Sequence, residues 1–174
     1  MRRGSRGRTC WTTDVFVRRA TLEDVDAFVA VVVDVADERR WIATEPPVDV
    51  DAFGARVRGM LSDGDALFVL YIDGHIVGTL ALHSTHADGV LALGMSIRDR
   101  FRGRGGGRAL LSAAVEHARG IRAHKIELEV WPDNERAIGL YRACGFEVEG
   151  VRRDHYRRRD GSLRSSQIMA LLLE

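Results

Sequence analysis

The 174-residue sequence has no long apolar run, and no stretch of about 18 apolar residues occurs anywhere in it. A helix needs about 20 such residues to cross a bilayer, so the sequence predicts no membrane span and no membrane partner. The N-terminal arginines are not followed by the short apolar core of a secretory signal. We therefore expect a cytoplasmic protein.

Cysteine is also scarce, since Cys10 and Cys144 are the only two in the sequence. Two scattered thiols are typical of a reducing compartment; a disulfide between them is possible, but no feature of the sequence favours it. Three histidines, His75, His83 and His86, lack partners at a recognised metal-ligand spacing, so no metal site is expected.

Net charge is small, because 26 Lys and Arg residues balance 25 Asp and Glu residues to leave +1. Any basic function must therefore be local. Residues 1–13 carry four arginines and show no apolar period, which predicts a disordered basic tail. An arm that contacts nucleic acid or membrane is the alternative. The remaining residues, 14–174, are enough for one domain with its own core.

Hydrophobic periodicity predicts the element order β α α β β β α β α β β, which is typical of an α/β sandwich with a mixed sheet. The predicted strands are Val15–Ala20, a hairpin over Ala66–Leu82 that turns at Asp73-Gly74, Val90–Ile97, Lys125–Val130, Phe146–His155 and Ser166–Leu173. The predicted helices cover about Thr21–Glu38 and Asp51–Leu61, the apolar-periodic segment around Leu110–Ala118, and Asn134–Ala143.

A glycine-rich loop lies directly before the third predicted helix, where four of the five residues in Gly103–Gly107 are glycine. Arg102, Arg104 and Arg108 surround these glycines. The first turn of a helix has unpaired N–H groups and a partial positive charge, and glycine lets a bulky anion approach the backbone closely. The loop is therefore predicted to hold phosphate oxygens on backbone N–H groups.

The common phosphate-binding motifs do not match this loop. A P-loop requires Lys and then Ser or Thr after its last glycine, but Gly107 is followed by Arg108-Ala109. The dinucleotide fingerprint fails because Arg108 stands where its last glycine belongs. RNA binding by a disordered Arg-Gly segment is an alternative, but a strand before the loop and an amphipathic helix after it disfavour nucleic acid as a partner.

The segment Arg102 to Gly107, RGRGGG, resembles the R/Q-x-x-G-x-G/A signature of the GNAT superfamily, the acyl-CoA-dependent N-acyltransferases. Residues Leu128 to Gly150 are similar to the second motif of that family, in which an Asn precedes a short helix, a Tyr lies within it and Gly-Phe follows. The resemblance covers nearly all of the chain after the tail. It implies a GNAT-like mixed, mostly antiparallel sheet of about seven strands with about four helices, and acetyl-CoA as co-substrate.

The resemblance also implies roles for individual residues. Backbone N–H groups of the loop would hold the diphosphate, and the end of the preceding strand would pair with the pantetheine arm. Asn134 would hydrogen-bond the cofactor near that arm, and Tyr141 would lie beside the thioester sulfur. The implied cofactor-binding residues are Ser96, Ile97, Arg98, Arg102, Gly103, Arg104, Gly105, Gly106, Gly107, Arg108, Asn134 and Tyr141.

Amide formation from a thioester requires a neutral amine, whereas an alkyl amine with a pKa of about 10 is almost fully protonated at pH 7. Glu127 and Glu129 alternate with apolar residues, so both carboxylates point to one face of a strand. Glu129 lies where the family branch that modifies protein N-termini has its general base. The alternative is that Glu129 is a solvated acid, and Glu127 is interpreted as structural.

Collapse of the intermediate expels a thiolate, which a protonated tyrosine can neutralise. The resemblance gives this role to Tyr141, the alternative being an ordinary core aromatic. The oxyanion would meet a backbone N–H near Ile97. A covalent intermediate on Cys144 is not expected, because no histidine lies near it in the sequence and the family transfers directly.

The acceptor site is implied to lie between the loop Trp41–Asp51 and the last hairpin. The acids Glu45, Asp49 and Asp51 could attract a cationic amine or simply be solvated. The hairpin segment Arg152–Ser166 has six arginines, which could favour an acceptor with a carboxylate or phosphate, or could line a dimer interface. Two hypotheses follow: an N-acetyltransferase acting on a small amine, an amino acid or a peptide N-terminus, and a non-catalytic acyl-CoA sensor.

Overall fold

A computed structural model describes residues 15–174 of the chain. The predicted tail, residues 1–13, lies outside the described residues, and so does Cys10. The strands are β1 (Val15–Arg19), β2 (Ala66–Ile72), β3 (His75–Ser84), β4 (Val90–Ile97), β5 (Lys125–Val130), β6 (Glu147–Arg157) and β7 (Leu163–Leu172). The helices are α1 (Val25–Asp37), α2 (Val50–Ser62), α3 (Gly106–Gly120) and α4 (Glu135–Ala143), with short 3-10 turns at Leu22–Asp24 and Asp99–Phe101.

The seven strands form one sheet in the order β1-β2-β3-β4-β5-β7-β6. All neighbouring strands are antiparallel except β4 and β5, which are parallel. The predicted mixed, mostly antiparallel sheet with four helices is confirmed. The last two strands are longer than predicted, because Arg157 pairs with Leu163 and extends the hairpin through a polar segment that carries no apolar pattern.

Local sequence signals set the ends of several elements. Asp73 and Gly74 have φ values of 52° and 78°, so both central residues of the β2–β3 turn are left-handed, as a type I′ turn requires. At the start of the first helical segment, the Thr21 N–H donates to the Asp24 carboxylate at 2.8 Å. The Arg18 guanidinium beside Asp24 lowers the pKa of that buried carboxyl to about 2. This ion pair joins β1 to the helical segment that follows it.

The sheet is covered on both faces, and β2 shows the alternation. Leu67 and Val69 pack with apolar residues of α1 and α2. Phe68 and Leu70 belong to the larger core, which includes residues of α3 and α4. The sheet is therefore the middle layer between two pairs of helices.

The parallel strands β4 and β5 separate at one end. β4 pairs with β3 as far as Ile97, but it pairs with β5 only from Val90 to Leu93. Within residues 15–174, residues 94–97 of β4 have no strand partner on the β5 side. This separation creates a gap in the sheet, beside the start of α3.

Candidate active site

A cavity of about 550 Å³ opens at the gap between β4 and β5. It is bounded by the end of β4, the N-terminus of α3, the helix α4 and the loop between α1 and α2. The volume lies within the range of about 300–1,000 Å³ that is usual for small-molecule sites. The cavity is therefore large enough for an extended arm of a cofactor together with a small second substrate.

The free edge of β4 offers main-chain hydrogen-bond groups to this cavity. The Arg98 N–H donates to the Val77 carbonyl at 3.0 Å, so it faces β3. Alternation along an antiparallel strand directs the N–H and C=O of Ile97 to the opposite side, into the gap. The Ile97 carbonyl there accepts from Arg102 Nε at 2.7 Å, which leaves its N–H available.

The turn before α3 exposes backbone N–H groups at the other end of the cavity. Gly105 precedes the helix with a φ of 85°, a conformation that favours glycine. A Cβ on Gly107 would lie 2.7 Å from Leu140 Cδ2, so a side chain on the inner side of the turn would require Leu140 to move. Within the described residues, the first helical N–H groups have no acceptor, and the helix dipole makes this position favourable for an anion.

The arginines of this region divide into two groups. Arg104, Arg108 and Arg136 are exposed and make no ion pair with any residue between 15 and 174. Arg102, in contrast, is engaged by protein groups, because its Nη1 and Nη2 donate to Glu38 at 2.8 and 2.5 Å. The free guanidinium groups are thus available to an anionic ligand, whereas Arg102 ties the turn to the end of α1.

Two residues of the second motif reach the cavity from α4. The Asn134 side-chain oxygen accepts the Ala137 N–H at 3.2 Å and caps the helix, which leaves its two amide N–H donors for another partner. Tyr141 is 6% exposed, and burial raises its pKa to about 12. The Tyr141 hydroxyl makes no hydrogen bond to another described residue, so it is a protonated donor at the cavity wall.

Glu129 also lines the cavity, and three side chains donate to its carboxylate. Arg152 Nη1 lies at 2.6 Å, the Tyr156 hydroxyl at 3.1 Å and Ser166 Oγ at 2.5 Å. Burial, followed by the nearby Glu129 charge, raises the pKa of Tyr156. A carboxylate accepts about four hydrogen bonds, so Glu129 keeps room for about one more donor.

The sequence-predicted site residues fall into two sets. One set lines a single cavity: Ser96, Ile97, Arg102, Gly103, Gly105, Gly107, Arg108, Glu129, Asn134 and Tyr141. The other set does not line it: Arg98, Arg104, Gly106, Glu127 and Cys144. Glu127 shares a face with Glu129, but its Oε2 lies 3.8 Å from Lys125 Nζ. This ion pair agrees with the interpretation of Glu127 as a structural rather than a catalytic residue.

Residues 32–146 match the sequence model of the acetyltransferase (GNAT) family. The chain belongs to the GNAT family. The match begins in α1 and ends just after α4, so it contains the gap between β4 and β5, the glycine-rich turn and Tyr141.

Named relatives of this GNAT protein act on different acceptors. The chain is 33% identical over 106 residues to the L-amino acid N-acetyltransferase AaaT of Escherichia coli, which covers 59% of this chain and 65% of that protein. It is 46% identical over 57 residues to the N-alpha-acetyltransferase RimI of Mycobacterium tuberculosis, covering 33% of this chain and 34% of that one. The chain therefore matches less than two thirds of the length of these relatives.

Solved GNAT structures share the fold over almost the whole chain. The ribosomal-protein-alanine N-acetyltransferase of Brucella melitensis is 25% identical, with a TM-score of 0.83 over 91% of this chain and 99% of that one. The acetyltransferase yncA of Salmonella typhimurium, solved with its cofactor acetyl-CoA, is 21% identical, with a TM-score of 0.81 over 92% and 94% of the two chains. At 21% identity, the similarity to yncA establishes a shared fold alone.

Sequence reasoning did not identify two residues that line this GNAT site, Trp131 and Arg136. Trp131 follows β5 directly, lines the cavity and packs edge-on against Tyr156, with ring centroids 5.1 Å apart. Arg136 reaches from α4 toward Gly103, where a Cβ would lie 2.9 Å from its Nη2. The signal for Trp131 was its place between Glu129 and Asn134; Arg136 follows Asn134 by two positions.

Two further findings concern the described residues alone. Between residues 15 and 174, no group of three or more His, Cys, Asp or Glu side chains is arranged to hold a metal ion. In the same part of the chain, none of the helices is long and apolar enough to cross a membrane.

Proposed function

We propose that the protein is an N-acetyltransferase that moves the acetyl group of acetyl-CoA directly to a primary amine of a small amine, an amino acid or a peptide N-terminus. The observation that carries this proposal is one continuous cavity. It runs from the unpaired N–H groups at the start of α3, along the free edge of β4, to the Tyr141 hydroxyl.

The donor would be bound by charge and by strand pairing. Its diphosphate fits the N–H groups at the start of α3, with the free guanidinium groups of Arg108 and Arg136 on the cavity wall. Its pantetheine amides fit the free edge of β4, where the Ile97 N–H faces the gap. Asn134 has two amide donors left for the same arm.

The acceptor amine would be prepared at Glu129. Its carboxylate has about one acceptor position left after the bonds from Arg152, Tyr156 and Ser166. In this role Glu129 takes the proton of the amine, directly or through a water molecule, and the neutral nitrogen attacks the thioester carbon. A backbone N–H near Ile97, at the free edge of β4, would donate to the carbonyl oxygen as negative charge develops there.

The leaving group would be neutralised by Tyr141. The new C–N bond forms, the C–S bond breaks, and the sulfur leaves as a thiolate. Tyr141 donates its proton to that sulfur, because its raised pKa keeps the hydroxyl protonated throughout the physiological range. The second proton that the nitrogen loses as it becomes an amide returns, through solvent, to the tyrosinate. The products are an N-acetyl amine and free coenzyme A.

Thiol release tests this function directly. The protein is incubated with acetyl-CoA and a panel of amines, amino acids and peptides, and free thiol is measured over time. We expect thiol release that depends on at least one amine. Binding of acetyl-CoA without amine-dependent thiol release would instead favour a non-catalytic acyl-CoA sensor.

A further inference from the structure

Three arginines of the β6–β7 hairpin, Arg158, Arg159 and Arg164, join that hairpin to the loop between α1 and α2 beside the cavity, and we call them the arginine bridge. These arginines bind the loop between α1 and α2, which supplies the opposite wall of the cavity. The solvated arginine-rich hairpin allowed by the sequence is therefore a connection between two walls of the site.

Arg158 is the central member of the bridge and is only 7% exposed. Its Nη1 donates to the Ala43 carbonyl at 2.9 Å, and its Nε lies 3.2 Å from the Glu45 carboxylate. Glu45 also accepts the Arg159 backbone N–H at 3.0 Å. Because Ala43 lines the cavity, this contact lies at its edge.

The outer members extend the bridge along the loop. Arg159 donates to the carbonyls of Pro46 and Pro47 at 3.0 and 3.3 Å. Arg164 donates to the Arg40 carbonyl at 2.9 Å and to Asp133 at 2.6 Å. The bridged stretch therefore spans loop residues 40–47.

A bridge of this length affects which acceptors can enter. A polypeptide whose N-terminus lies at Glu129 must continue out of the cavity as an extended chain. The hydrogen bonds of the bridge join the hairpin to loop residues 40–47, so a chain leaving the cavity between hairpin and loop must break them. A molecule that ends within the cavity meets no such obstruction.

Trp131 lines the cavity, and hydrogen-bond donors lie around its ring. The guanidinium groups of Arg158 and Arg164 lie 5.7 and 4.7 Å from the centre of the Trp131 ring. Trp131 is 4% exposed, and its indole N–H has no hydrogen-bond partner among residues 15–174. Within the same residues, Arg158 Nη2 makes no hydrogen bond either. Such donors favour an acceptor with an anionic oxygen.

The amine position and the donor-rich end are adjacent, because Tyr156 contacts both. Its ring packs on Trp131 and its hydroxyl donates to Glu129. An α-amino acid carries its amine and its carboxylate on one carbon atom, so it requires an acidic group beside a cluster of donors. This arrangement matches the pair formed by Glu129 and Trp131.

From these contacts we infer that the acceptor is a free α-amino acid, with its amine at Glu129 and its carboxylate at the Trp131 end. The arginine bridge excludes polypeptide N-termini, and Glu45 determines this specificity by holding the bridge closed. The inference rests on the proposed acetyltransferase function.

The test compares three matched acceptors: each free L-amino acid, its C-terminal amide, and a tripeptide with the same N-terminal residue. For the best amino acid, we expect kcat/KM to exceed that of its amide and its tripeptide by at least about tenfold, as loss of a bond to a charged group costs. Equal kcat/KM values for the amide or the tripeptide would overturn the inference.

A variant tests the role of the bridge. Glu45→Ala removes the partner of Arg158 and of the Arg159 N–H, and it should raise the tripeptide-to-amino-acid ratio of kcat/KM by about fivefold or more. Arg157→Ala is the matched control, because Arg157 lies in the same hairpin and bonds within it to Gly161. We expect the control to leave the ratio unchanged, and an unchanged KM for acetyl-CoA shows that both variants are folded.

Failure of this inference can be told apart from failure of the proposed function. Thiol release with tripeptides but not with amino acids would refute the inference and leave the acetyltransferase in place. An unchanged ratio in Glu45→Ala would refute the role of the bridge. No thiol release with any acceptor would refute the function, and the inference with it.

Discussion

Tyr141 is the side chain whose surroundings most clearly suit it to one chemical step. We expect Tyr141→Phe to lower kcat by about 10²-fold, the lower end of what a positioned proton donor contributes. The KM for acetyl-CoA should change much less, because Phe keeps the ring that packs on Phe146. Steady-state kinetics with the best acceptor measures both, and an unchanged kcat would remove Tyr141 from the mechanism.

The raised pKa of Tyr141 has a consequence for the pH profile. The hydroxyl must be protonated to act, so activity that depends on it is present below its pKa of about 12 and is lost only above that value. An ordinary tyrosine would lose its proton around pH 10. We expect kcat/KM to rise as the acceptor amine loses its proton and to show no decrease before about pH 11. A decrease with a midpoint near pH 10 in wild type, absent in Tyr141→Phe, would contradict this account.

Arg102 is a positioning residue that connects the end of β4 to the end of α1. Its Nε holds the Ile97 carbonyl while its terminal nitrogens hold Glu38 at the end of α1. We expect Glu38→Gln to raise the KM for acetyl-CoA by about fivefold, the effect of losing about 1 kcal/mol of this charged contact. Glu38→Asp keeps the negative charge on a shorter side chain, so it should raise the KM for acetyl-CoA less than Glu38→Gln does.

A control for Glu38→Gln is available within α1, the helix that Glu38 follows. Asp34 pairs with Arg98 at 2.5 Å, and neither residue lines the cavity. We expect Asp34→Asn to leave the KM for acetyl-CoA unchanged. If both variants raised that KM equally, the effect would be a general loosening of α1 rather than a specific role of Arg102.

At the scale of elements, the free edge of β4 has a signature in hydrogen exchange. The Arg98 N–H is bonded to β3, whereas the Ile97 N–H faces the gap. We expect the Ile97 amide to exchange quickly in the free protein and to become protected when coenzyme A is added. The Arg98 amide, one residue away, should be protected in both states. Protection of Ile97 that does not respond to coenzyme A would contradict strand-like binding of the pantetheine arm.

The elements that the sequence predicted well are those with local causes. The Asp73-Gly74 turn and the short helix predicted from Asn134 each depend on residues within a few positions of one another; the structure shows Asn134 as the cap of that helix. The length of β4 was also predicted, but its separation from β5 after Leu93 was not. That separation depends on how two strands about 35 residues apart in the chain pair, and no local pattern encodes it.

At the scale of the whole molecule, long-range contacts account for most of what sequence reasoning missed. Arg158 and Ala43 are 115 residues apart in the chain, so their contact has no signature in composition or periodicity. For the same reason the sequence left open whether the acids of the α1–α2 loop attract a cationic amine or are solvated. Glu45 instead pairs with Arg158, and Asp49 caps α2 by accepting the Ala52 N–H at 2.9 Å.

The whole fold brings together two segments that the sequence analysis identified separately. Arg108 precedes β5 in the chain whereas Asn134 and Tyr141 follow it, yet all three line one cavity. The sheet achieves this by placing α3 and α4 on the same face, beside the gap. The predicted tail and the single-domain boundary at residue 14 remain predictions.

The account as a whole depends on the start of α3 binding the diphosphate of coenzyme A. Isothermal titration calorimetry compares coenzyme A with pantetheine, which lacks the diphosphate together with the adenosine nucleotide, and measures the contribution of that whole anionic part. We expect coenzyme A to bind one-to-one and at least about 100-fold more tightly than pantetheine, since two or more charge-assisted bonds are at stake. Equal affinities, or no heat with coenzyme A, would contradict it.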